Sequence, residues 1–146
     1  MIEAPLIAPP EDGKFIPTAH RFYLSSKEYY ERGNIGAAEH CLVSALRLDP
    51  NHHAALTSLA CIVQDRRQFD AALALAQRAV NLEPQNPTYL GNLGNALFRC
   101  DRYQEAAVAV MQAIGIANER KRAGEEVNQL GLAGLWHNLG LARIAA

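Results

Sequence analysis

Leu48-Asp49-Pro50 returns as Leu82-Glu83-Pro84 thirty-four residues later, and the apolar residues around both prolines return with it. A fixed period of this length means an array of small units rather than one globular core. No single unit of that size buries its own apolar face; stacking does so between neighbours, and the stack presents a long curved surface to another chain.

Start and stop signals alternate at about half that period. Asn86-Pro87 places an N-cap residue before a proline at the first helical position. Thr18 and Asn51 stand where they can open helices in the same way, and Gly33-Asn34 marks a turn. Pro50 and Pro84 each close a helix, because proline cannot continue one. No period-two alternation is long enough to argue for strands. The expected class is all-α, with units over residues 19–52, 53–86 and 87–120, each split into helices A and B.

The units align residue by residue. The large residue early in helix A is Phe22, Leu56 and Leu90. Four positions on come the small residues Ser26, Ala60 and Gly94, then the apolar Tyr29, Val63 and Leu97. Helix B opens on Ile35, Phe69 and Tyr103. It carries small residues at Ala38, Ala72 and Ala106 and again at Ala45, Ala79 and Ala113, with Leu42, Ala76 and Val110 between them. Small side chains let antiparallel helices approach closely while larger ones fill the gaps.

This pattern resembles the tetratricopeptide repeat (TPR) family, a 34-residue helix–turn–helix unit. The resemblance implies a right-handed α-α superhelix of three helix–turn–helix repeats plus a C-terminal helix. There are departures. Arg67 and Asp101 replace the turn glycine seen at Gly33, so those two turns are expected to differ in shape. Asn118 stands where the third proline is expected, so the third helix B is free to run on. Trp136-His137-Asn138-Leu139-Gly140 matches the strongest part of the motif, but Trp136 lies 46 residues after Leu90, twelve more than one period. Residues 121–132 absorb the insertion, either as a longer helix B or as a loop near Gly124 followed by a new helix. Residues 133–146 then form a partial fourth repeat or a capping helix.

The two ends differ from the array. Residues 1–17 hold Pro5, Pro9, Pro10 and Pro17 and read as an extended arm. At the other end Leu139, Leu141 and Ile144 leave an apolar terminus. It suits a helix packed back as a cap, a homodimer through Trp136, Leu139 and Ile144, or a fragment of a longer array.

Composition narrows the partners. The net charge of −1 provides no basic excess for nucleic acid or an anionic membrane. The cluster Arg120-Lys121-Arg122 suits a helix C-terminus. No apolar run reaches the roughly 20 residues of a membrane span, and with Glu3 near the start and no early Lys or Arg a secretory signal is not expected. Three widely spaced cysteines, Cys41, Cys61 and Cys100, fit a reducing compartment and hence a cytoplasmic location. No catalytic or metal-ligating motif emerges, and no cofactor is expected. The adjacent His52 and His53 fall at an inter-repeat turn, where solvation is expected.

In TPR proteins the A helices line the concave face and hold peptides. Carried onto this chain, the resemblance assigns that groove Tyr23, Lys27 and Tyr30 from the first unit. The second contributes Thr57, Ser58, Cys61 and Gln64, and the third Asn92, Asn95 and Arg99. TPR domains that capture a chaperone's C-terminal carboxylates use a clamp of basic residues and asparagine. Here Lys27 is present, but Thr88 and Asn92 occupy positions where further basic residues are expected, so the clamp is incomplete. The asparagines of Asn92-Leu93-Gly94-Asn95 resemble those lining TPR arrays joined to glycosyltransferases. The leading expectation is a non-catalytic module that binds another protein or peptide. Two alternatives stay open: the substrate-recruiting N-terminal array of a larger glycosyltransferase or methyltransferase, and a TPR chaperone of bacterial secretion.

Overall fold

The computed structural model describes residues 18–125, together with His137 and Gly140. Six helices occupy the continuous stretch: α1 Ala19–Glu31, α2 Ile35–Leu48, α3 His53–Asp65, α4 Phe69–Leu82, α5 Pro87–Arg99 and α6 Tyr103–Arg122. No strand occurs among the described residues. The A helices α1, α3 and α5 begin at 19, 53 and 87, one 34-residue step apart. The N-terminal arm, Trp136, Leu139 and Ile144 lie outside the described residues.

Side chains cap most helix starts. Thr18 Oγ1 accepts from the Arg21 amide at 3.2 Å and Asn34 Oδ1 from that of Ala37 at 3.1 Å. Asn86 Oδ1 accepts from Thr88 and Tyr89, with Pro87 at the first helical position. Each bond satisfies an amide that the helix itself leaves without a partner. The expected cap at Asn51 is corrected: the Asn51 amide donates to Asp49 Oδ1 within the turn, and His52 caps α3 through Nδ1.

The three A-to-B turns share one backbone, which overturns the expectation that two would differ. Gly33, Arg67 and Asp101 have φ of 79°, 62° and 61°. At each, the amide of that residue donates three residues back and the next amide five residues back, as in Gly33 to Tyr30 and Asn34 to Tyr29. This is the Schellman closure, which needs one left-handed residue. The end of α6 repeats it at Gly124, φ 84°. There the third helix B does run on: α6 has 20 residues against 14 in α2 and α4.

Within each pair the helices pack through the aligned positions. Tyr29, Ala38, Leu42 and Ala45 are buried in the first pair, as are Leu97, Ala106, Val110 and Ala113 in the third. At Gly94 a β-carbon would stand 2.6 Å from Val110 Cγ2 and 3.3 Å from the Ala106 carbonyl oxygen, so any larger residue there requires α5 or α6 side chains to shift.

Successive pairs join through α2 against α3 and α4 against α5. Arg78 donates to the Pro50 carbonyl and Arg120 to that of Gln85, both at 2.8 Å, so each arginine latches a helix B to the turn that precedes its own repeat. Arg120 reaches its turn because α6 continues past the 14-residue length. The A helix α3 also touches α5, whereas no two B helices meet to the same extent. The second and third repeats therefore draw together on their A side, termed the inner face.

Candidate functional site

The inner face opens where α1 and α3 stand apart. Between them lies a hollow of about 310 Å³. One wall is α1, with Tyr23, Ser26, Lys27, Tyr30 and Glu31; the other is α3, with Ser58, Cys61 and Ile62; Ala38 and Leu42 of α2 form the floor. Farther along the row α3 contacts α5, and there the His53 ring and the Tyr89 hydroxyl hydrogen-bond at 2.6 Å.

The lining is mainly apolar, and one of its polar groups is engaged internally. Ser26 Oγ donates to the Tyr23 carbonyl at 2.5 Å and adds little hydrogen-bonding capacity. Cys61 is exposed at the surface of the hollow, and partial desolvation, then the charge of Asp65, raise the pKa of its thiol, which disfavours the thiolate. The charged groups are Lys27 and Glu31, one helical turn apart. The Lys27 ammonium lies 6.0 Å from the Tyr23 ring centroid.

Five of the residues assigned to the groove, Tyr23, Lys27, Tyr30, Ser58 and Cys61, line this hollow. Thr57, Gln64, Asn92, Asn95 and Arg99 lie outside it. Thr57 is half-buried and its hydroxyl donates to the His53 carbonyl. Asn92 and Asn95 are half-buried on α5 and Arg99 is exposed at its last turn. Sequence reasoning did not place Ser26, Glu31, Ile62 or the floor residues Ala38 and Leu42 in the site. Glu31 carried a usable signal, since it follows Lys27 by four residues on a helix. The floor carried none, because its residues read as ordinary packing positions.

His52 and His53 are not simply solvated. Both are half-buried. Besides capping α3, the His52 ring lies 5.8 Å from that of His20 and 5.2 Å from that of Tyr23, joining the first two repeats. His53 meets Tyr89 and pairs with Glu83 at 3.5 Å. The histidines thus serve the inter-repeat joints. Among the described residues no group of His, Cys, Asp and Glu could hold a metal ion, and no helix is long and apolar enough to cross a membrane.

Paired antiparallel helices at a 34-residue step, with an inner face built from the first helix of each pair, define a helical-repeat solenoid. Tetratricopeptide repeat sequence models match residues 19–52 and 57–120, and the chain belongs to the tetratricopeptide repeat family. It is 30% identical over 103 residues to small glutamine-rich tetratricopeptide repeat-containing protein 2 of Mycosarcoma maydis. That match covers 69% of this chain and 28% of the relative, so the chain spans little more than a quarter of its length. Among solved structures, the first TPR of Spaghetti (RPAP3) bound to an HSP90 peptide superposes with a TM-score of 0.74 at 17% identity, covering 88% of this chain and 92% of that one. The TPR2B domain of yeast Sti1, in a complex with pHsp70, gives 0.75 at 15% identity, covering 88% and 98%. At these identities the likeness is one of fold.

Proposed function

We propose that this chain is a non-catalytic protein–protein interaction module that holds a segment of a partner chain along the inner face of α1, α3 and α5. The observation that carries this reading is the hollow between α1 and α3, an apolar trough with Lys27 and Glu31 at its rim. Concave apolar sites with a few polar groups are where ligands bind, and the solved relatives that hold HSP90 and pHsp70 segments support a peptide as the class of ligand. A chaperone C-terminus is not the proposed ligand, because Thr88 and Asn92 bring no positive charge to join Lys27. Asn92 and Asn95 extend the grip, since an amide both donates to and accepts from a peptide backbone.

The test is a native pull-down read by mass spectrometry, repeated with Lys27→Glu, Tyr30→Ala and Asn95→Ala. Tyr30 is 50% exposed, so its truncation spares the core. Each variant is expected to reduce the recovered partner, Tyr30→Ala the most, as befits an aromatic anchor. Undiminished recovery with all three overturns the groove assignment.

A further inference from the structure

The rim charges of the hollow carry a prediction about ligand sequence that rests on the reading above. Lys27 and Glu31 stand on one face of α1, four residues or about 6 Å of helix rise apart. Among the described residues neither forms an ion pair. Their order gives the weaker of the two i,i+4 arrangements, since a glutamate preceding a lysine by four residues pairs better. The Tyr23 ring beside the Lys27 ammonium favours holding it toward the other end of the hollow, away from Glu31. Two opposite charges are thus left one turn apart over an apolar floor.

An extended chain places residues j and j+2 about 6.6 Å apart, which matches the spacing of the two charges along α1. We infer that the hollow selects an internal segment in which a bulky apolar residue lies between one acidic and one basic residue. The apolar side chain points down into the space above Ala38 and Leu42, and the flanking charges, which alternate to the open side of the segment, meet the exposed Lys27 and Glu31 at the rim. Running the segment in either direction satisfies both pairs, so the chemistry required is one charge of each sign rather than a fixed order.

Capped seven-residue peptides with neutral ends and the centres Glu-Leu-Lys, Glu-Leu-Glu, Lys-Leu-Lys and Gln-Leu-Gln test this by fluorescence anisotropy. The wild-type chain is expected to bind Glu-Leu-Lys roughly threefold more tightly than either like-charged peptide, the scale of an exposed ion pair gained or lost. Lys27→Glu should transfer the preference to Lys-Leu-Lys, and Glu31→Lys to Glu-Leu-Glu. A gain for one peptide in each variant cannot come from misfolding. Equal affinity for all four peptides, still weakened by Tyr30→Ala, overturns the charge rule and leaves the groove reading standing. Failure of every peptide to bind overturns both.

Discussion

Arg67 and Asp101 hold backbone angles that favour glycine, and the turns they occupy are superposable in hydrogen bonding with the one at Gly33. The left-handed region costs an L-residue roughly 1 kcal/mol. Asp101 suits it better than arginine does, since short polar side chains tolerate that region, and its carboxylate accepts from the Tyr103 hydroxyl at 2.7 Å. Arg67 is exposed and its turn bonds run through the backbone. Arg67→Gly is therefore expected to stabilise the chain by about 1 kcal/mol, measured as a higher urea midpoint at unchanged slope. A lower midpoint would show that the arginine side chain contributes more than its backbone costs. The departure from the glycine pattern was legible in the sequence, but its consequence was not. Tertiary packing holds the turn in place, and the residue conforms.

Two glycines separate local helix preference from packing. Gly115 lies exposed within α6 with open space around it, so Gly115→Ala should gain about 1 kcal/mol from helix propensity. Gly94 has the same propensity to gain, yet a β-carbon there would meet Val110 Cγ2 at 2.6 Å. A β-branched side chain has little rotamer freedom with which to retreat, and overpacking costs about 1–3 kcal/mol. Gly94→Ala should thus lower the thermal midpoint while Gly115→Ala raises it. If both raise it, α5 and α6 have more room than the close approach at Gly94 implies. The alignment of Gly94 with Ser26 and Ala60 pointed to a tight crossing, though only the structure shows that at Gly94 a β-carbon would force Val110 to shift.

Across the whole array, groups held neutral by burial give stability an alkaline limit. Burial raises the Cys41 thiol above its ordinary 9.0. Burial first, then the charge of Glu83 and the neighbouring Tyr23, raise the Tyr89 phenol above its ordinary 10.0, with a Thr57 hydrogen bond acting in opposition. Each loses a proton to become charged, so the folded state holds the proton more firmly than the unfolded one. That contribution is whole below the unfolded value and is lost as pH rises through the folded one. The denaturation midpoint should therefore fall once the pH passes about 9, with Tyr89→Phe removing part of the decline above 10. A midpoint level across that range would refute it. At this scale the helix pairs, their step and their buried faces were written in the sequence, because a 34-residue recurrence of small and large residues leaves few other ways to bury the apolar positions. The sequence alone did not determine which neighbouring A helices stay apart. The hollow lies where α1 and α3 do not close on one another as α3 and α5 do, although ring contacts of His52 with His20 and Tyr23 cross the first joint just as His53–Tyr89 crosses the second. Periodicity assigns faces to helices; the space between two faces depends on contacts from several helices at once, and only the tertiary structure decided it.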